Sequence, residues 1–132
     1  METLKSESVL IYNGSTYFSV NCSDILFCQV DNSYMEIYLK DIEKPIIVIE
    51  CLCNCISLLH CPTFFRINRK QLINLLYVTK IEAKIRKLCM HDGREFEISA
   101  DHLQACVTEF SKIHIGVIGK LPPKISKNGI HP

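Results

Sequence analysis

The chain lacks both a long apolar run and an export signal. Its start, Met1-Glu2-Thr3-Leu4-Lys5-Ser6-Glu7-Ser8, has acids and hydroxyls where a secretory leader has cations followed by an apolar stretch. The most apolar window, residues 45–61, is interrupted by Glu50, Asn54, Ser57 and His60 and falls short of the ~20 residues that a membrane-crossing helix needs. These absences predict a soluble, cytoplasmic chain with no membrane partner. Internal repeats and a second domain are missing as well. His91 beside Asp92 resembles a base and its orienter, but no nucleophile or phosphate-binding loop can be assigned around them, and Asp92-Gly93 is explained by a hairpin turn. No catalysis and no cofactor are expected.

What is present fits one domain of ordinary size. Of 132 residues, 48% are hydrophobic and 22% charged, a globular balance that buries a core without staples. Eight cysteines in a reducing compartment read mostly as free thiols. Cys51, Cys53 and Cys55, with His60 and Cys61, have the ligand density of a tetrahedral zinc site. Their spacing argues against one: on a helix Cys51 and Cys55 share a face while Cys53 points away, and no Cys-x-x-Cys pair is available to form a knuckle. Cys89, three residues after Arg86, is the only redox candidate, and its strand position suggests core packing instead.

Net charge is nearly absent, at +1, until it is divided along the chain. Residues 1–65 hold 3 cations and 8 acids, residues 66–87 hold 7 and 1, and residues 88–132 hold 5 and 5. The middle segment contains Arg66, Arg69, Lys70, Lys80, Lys84, Arg86 and Lys87, enough to neutralise several phosphates and release their counterions. A charge run is usually only a solvated face. Here it begins inside Phe64-Phe65-Arg66-Ile67-Asn68-Arg69-Lys70-Gln71-Leu72-Ile73-Asn74, where apolar anchors alternate with cations. As a strand, this segment sends Phe65 and Ile67 into a core and Arg66 and Asn68 out by the other face, with Arg69 and Lys70 starting a turn.

The remaining pattern is β-rich. Asn13-Gly14 separates the runs Val9 to Tyr12 and Thr16 to Val20 and predicts a type I′ hairpin. Ile25 to Val30 and Tyr34 to Leu39 pair around Asp31-Asn32-Ser33, with Met35, Ile37 and Leu39 alternating against Tyr34, Glu36 and Tyr38. Ile46 to Ile49 reads as a short strand and Cys51 to Leu59 as a short helix. Val78 to Ile85, Arg86 to Met90 and Arg94 to Ile98 form a meander turning at Asp92-Gly93. Ser99 is placed to cap a helix carrying Leu103, Cys106, Val107 and Phe110 on one stripe. Ile113 to Gly119 suggests a final strand, and residues 120–132, rich in proline, suggest a flexible tail.

Phe65-Arg66-Ile67-Asn68-Arg69-Lys70-Gln71-Leu72-Ile73-Asn74 resembles the Phe-Arg-x-His-Arg-Ser-Tyr-Leu-Val-Asn signature of the LytTR family, the DNA-binding output domain of many bacterial regulators. Asp24-Ile25-Leu26-Phe27, Asn32-Ser33-Tyr34, Asn74-Leu75-Leu76-Tyr77-Val78 and Met90-His91-Asp92-Gly93 follow family signals in the same order, so the resemblance extends from about Val9 to Lys112. It implies an α+β, mostly β fold: an elongated set of small antiparallel sheets with one or two short helices and no helix-turn-helix, occupying residues 1–119. It also implies double-stranded DNA as partner, reached through loops at sheet edges, with two copies meeting on paired repeats; because this one domain takes up almost all of the sequence, no attached receiver to phosphorylate is expected.

Arg69 is the base-reading candidate by family position. Asn68 stands where the family has histidine and Lys70 where it has serine. Asn32 and Ser33 occupy a loop that approaches the duplex in the family. Asn74, between apolar residues, is expected to serve the backbone rather than DNA. The third family contact, Ser-Arg-Arg or Ser-x-Arg, is replaced by Ser99-Ala100-Asp101, with Asp101 better explained as an acid in a first helical turn. This departure supports a second reading, in which the module keeps the fold and binds a regulatory protein partner.

Overall fold

Alternation of apolar and polar side chains decides most of the architecture. The computed structural model describes residues 7–59 and 61–120, which form antiparallel strands and short helices. Two compact units divide the chain at Asn74 and Leu75.

The first unit contains a hairpin, β1 (Ser8–Tyr12) and β2 (Tyr17–Asn21), and a five-stranded sheet. Sheet order is β5 (Ile46–Ile49), β4 (Tyr34–Leu39), β3 (Ile25–Asp31), β7 (Gln71–Asn74) and β6 (Phe64–Asn68). Met35, Ile37 and Leu39 are buried as their alternation predicts, and they share a core with Ile25, Cys28, Leu72 and the helix α1 (Leu52–Leu58) through Leu52 and Cys55. The opposite sheet face carries Phe27 stacked on Tyr38 at 4.4 Å between ring centroids.

Two local expectations fail here for identifiable reasons. The first hairpin has a four-residue loop, 13–16, instead of a two-residue type I′ turn: Tyr12 pairs with Tyr17, and only Gly14 takes a positive φ, of 107°. Asn13 instead bends its side chain forward so that Oδ1 accepts from the backbone N–H groups of Ser15 and Thr16 at 3.0 and 2.9 Å. In β6, Ile67 is an extra residue, because Arg66 pairs with Leu72 and Asn68 with Gln71. This bulge reverses the side-chain alternation across it. Arg66 therefore faces the α1 side with Leu72, while Asn68 faces the other side with Gln71; they do not leave together. Ile67 is fully buried, and Phe64, rather than the half-exposed Phe65, packs against the core cluster.

In the second unit β9 (Lys87–Met90) lies between β10 (Glu95–Glu97) and β8 (Val78–Glu82). The strand expected to reach Ile85 stops at Glu82, because Ala83 to Ile85 form a helical turn closed by Arg86 N–H on the Ala83 carbonyl at 3.2 Å. Arg86 takes a left-handed φ of 53°, which reverses the chain before β9 begins. Gly93, at φ 93°, makes the expected second turn. Helix α2 (Leu103–Lys112) buries Cys106 completely and half-buries Leu103, Val107 and Phe110, the anticipated stripe. The Ser99 hydroxyl bonds the His102 ring nitrogen Nδ1 rather than capping a backbone N–H. The strand expected over Ile113 to Gly119 is absent: this stretch is irregular, with Ile115 and Ile118 fully exposed. Among the described residues no strand pairs with it. The expected tail, residues 120–132, lies outside the described residues except for Lys120.

Candidate nucleic-acid interface

The bulged strand and its partner build a rigid turn. β6 and β7 are joined by only Arg69 and Lys70, and both side chains are exposed. Beneath them the Arg66 guanidinium reaches back to the turn, Nη2 donating to the Arg69 carbonyl at 2.8 Å and Nε to the Asn68 carbonyl at 3.3 Å. Asn68 Oδ1 accepts from Lys70 N–H at 2.8 Å, and the Lys70 carbonyl accepts from Val30 N–H at 3.0 Å. The turn backbone is thus satisfied from three directions, while the two cations it carries point to solvent. Among the described residues no ion pair engages Arg69 or Lys70.

Asn68 also ends a chain of side-chain bonds that crosses four strands. Asn68 Nδ2 donates to Gln71 Oε1 (2.8 Å), Gln71 Nε2 to Gln29 Oε1 (2.9 Å), Gln29 Nε2 to Glu36 Oε1 (2.8 Å), and the Tyr38 hydroxyl to the same Glu36 oxygen (3.1 Å). Each amide gives one bond and takes one, so the orientation of every member follows from the Glu36 carboxylate, which can only accept. The sequence signalled the amphipathic face of β4 but not this ladder.

Asn32 and Ser33 form the two-residue turn between β3 and β4, with Asn32 at φ 62°, and both are exposed. They share one surface depression of about 450 Å³ with Arg66 and Arg69, floored by Val30, Leu52 and Cys53. Cys53 Sγ lies 3.7 Å from Arg66 Nη1. The fold therefore brings Asn32, Ser33, Arg66 and Arg69 together, across more than thirty sequence positions.

The remaining cations belong to the second unit. Lys80 and Lys84 are exposed. Arg86 pairs with Glu97 at 3.4 Å and Lys87 with Glu95 at 3.2 Å, so two of the four are partly neutralised. The Lys87 pKa is pushed up, chiefly by its hydrogen bond to Glu95.

The LytTR DNA-binding domain model matches residues 15–110, most of the chain and both units. The chain belongs to the LytTR family. Its fold is also that of a solved LytTR DNA-binding domain from Bacillus cereus, assigned to a methyl-accepting/DNA response regulator, with a TM-score of 0.65 and 14% identity over 80% of this chain and 96% of that one. No curated protein matches. At the level of the domain, the function is DNA binding in a regulator.

Other residues of this LytTR domain take structural places. Asn74 is fully buried and donates from Nδ2 to the Ile25 carbonyl at 2.9 Å, tying β7 to β3 as a backbone partner. Asp101 sits exposed in the first turn of the helical segment Ala100–His102, where the macrodipole favours an acid. Cys89 is buried, whereas Cys51 and Cys53 are exposed. Among the described residues no three of His, Cys, Asp and Glu gather at a metal-holding distance, and His60 lies outside them. His91 is exposed in the Asp92-Gly93 turn and meets the edge of Tyr77 at 6.4 Å between centroids. No helix among the described residues is long and apolar enough to cross a membrane.

Proposed function

We propose that this LytTR domain binds double-stranded DNA sequence-specifically as a bacterial, cytoplasmic transcriptional regulator, through turns at sheet edges. The observation that carries this reading is the β6–β7 turn: two exposed cations on a backbone whose carbonyls are already bonded by Arg66 and Val30. Arg69 presents a planar donor fork suited to a guanine edge, and Lys70 a point charge suited to phosphate. Asn32 and Ser33 contact the duplex from the neighbouring turn. Arg66 and Asn68 hold the turn and add to its field. Lys80 and Lys84 supply further phosphate contacts, with Arg86 and Lys87 contributing less because each shares its charge with a glutamate. The family match across both units supports their acting as one DNA-binding domain, two copies of which meet on paired repeats.

Fluorescence anisotropy of a duplex selected from a random pool, measured over a range of salt, tests this. About six phosphate contacts give a slope near −5 in log affinity against log salt. Arg69→Ala should cost about 1–3 kcal/mol and relax preference at one base position. Salt-independent or undetectable binding overturns the proposal. One observation favours the alternative protein-interaction reading: Asp101 is exposed where the family pattern has a cation. Asp101→Arg should raise affinity for DNA; if neither substitution changes it and a protein partner competes with duplex, the interaction module is the correct reading.

A further inference from the structure

Strand edges expose unpaired backbone groups, and of the four edges of the two larger sheets three are defended. β6 carries Arg66 and a bulge, β8 carries Lys80 and Glu82, and β10 brackets Phe96 with Glu95 and Glu97. Such charges and irregularities prevent another strand from docking. β5 has neither. Its sequence is Ile46-Ile47-Val48-Ile49, it pairs only with β4, and its outward side chains Ile47 and Ile49 are 49% and 78% exposed. A groove of about 610 Å³ is lined by all four β5 residues together with Asn13 and Phe18 of the first hairpin, so it runs along β5 beside that hairpin. Tyr34 and Ile42, both half-exposed, extend its apolar wall.

We propose that β5 is a homodimerisation edge on which a second copy of this chain pairs its own β5, antiparallel about a two-fold axis through Ile47. The strand is complementary to itself in that register. Ile47 faces Ile47 of the second copy, Ile46 faces Val48, and both inward residues stay on the core face because opposite residues in an antiparallel pair share a face. The flanks then place Lys44 opposite Glu50 of the second copy, and Glu50 opposite Lys44. Lys44 is exposed and lines the groove, and Glu50 is half-buried at the end of β5. Glu50 Oε1 accepts from Cys51 N–H and Asn54 Nδ2, which leaves Oε2 for the lysine. A neighbouring two-fold centred on Val48 would instead set Ile46 against Glu50, so charge selects the register. The interface is isologous and closes at two copies. It requires no DNA, and its Ile49 and Glu50 flank adjoins the depression that holds Asn32, Ser33, Arg66 and Arg69.

Sedimentation equilibrium of the full chain without DNA, over micromolar to near-millimolar concentrations, tests this. The wild type should show a monomer–dimer equilibrium, and wild type that stays monomeric throughout overturns the proposal. Ile47→Lys, which opposes two lysines at the axis, should abolish the dimer while the circular dichroism spectrum and melting stay native-like. Lys44→Glu and Glu50→Lys should each weaken self-association about tenfold, since each puts like charges opposite one another twice. Mixed together, these two variants should form a heterodimer, because every flank pair then joins opposite charges. That rescue is immune to any loss of stability from Glu50→Lys alone. Variants that self-associate like the wild type, or a mixture that fails to associate when both are folded, refute the register and the edge.

Discussion

Replacing Asn74 separates a strut from a DNA contact. Among the described residues it is the buried polar side chain of the core, with no exposed surface, and its Nδ2 bond to the Ile25 carbonyl joins β7 to β3. Asn74→Ala leaves that carbonyl without its partner, which costs about 1–3 kcal/mol, and opens a small cavity that brings the total to about 2–4 kcal/mol. Asn74→Asp keeps the shape but turns the donor into an acceptor facing an acceptor. Burial and the carbonyl dipole favour the neutral acid, so the folded-state pKa of the introduced carboxyl lies above its unfolded value of about 4. A raised folded-state pKa gives stability that is fully present below the unfolded pKa and lost as pH rises through the folded one. The Asp variant should therefore approach wild type near pH 4 and fall behind it towards pH 7, by about 1.4 kcal/mol for every tenfold weakening of the acid on folding. Urea unfolding followed by far-ultraviolet circular dichroism measures this, since the chain has no tryptophan to report by fluorescence. Variants still folded should bind duplex within about twofold of wild type, well inside the ~1.4 kcal/mol that a tenfold loss represents. An Asn74→Ala protein of unchanged stability and abolished DNA binding would refute the strut.

Arg66→Ala should speed amide exchange at Arg69 to Gln71 and reduce DNA affinity by more than one lost phosphate contact explains; Arg66→Lys should not rescue it, because lysine lacks the planar fork that spans two carbonyls. Glu97→Gln should release Arg86 and strengthen DNA binding modestly, steepening the salt slope by up to about 0.9, the value of one added phosphate contact. Thiol alkylation read by mass spectrometry should label Cys51 and Cys53 first in the native protein, and Cys28 and Cys106 only after unfolding. Both of the latter are fully buried; burial pushes the Cys106 pKa up to about 12, and the Cys28 thiol is held protonated chiefly by its hydrogen bond to Cys55.

Local chemistry was legible in the sequence at most places where one turn or one face decides the structure, the four-residue loop at Asn13-Gly14 being an exception. The Asn32-Ser33 and Asp92-Gly93 turns, the buried alternation of Met35, Ile37 and Leu39, and the α2 stripe all follow from nearest neighbours. The bulge at Ile67 was hidden because Phe65-Arg66-Ile67-Asn68 alternates as a regular strand would; only the pairing with Leu72 and Gln71 shows that one residue is extra. For the same reason the two polar residues flanking Ile67 read, in sequence, as sharing one face. Ile113 to Gly119 has strand-forming residues, but propensity without a partner strand yields no strand. The depression joining Asn32 to Arg69, and the ladder joining Glu36 to Asn68, depend on contacts between distant segments that no short window contains.

The amide ladder makes the β6–β7 turn a property of four strands. Transplanting residues 64 to 74 alone into another LytTR domain would move the side chains but not Gln29, Glu36 and Tyr38, which set the direction of each amide beneath them. Divergence of DNA preference among such domains can therefore arise at positions that never approach the duplex. Lys70 N–H holds the other end of the ladder on Asn68 Oδ1, so a change of Glu36 to a side chain that only donates would set donor against donor within it and loosen the Asn68 amide beneath the turn.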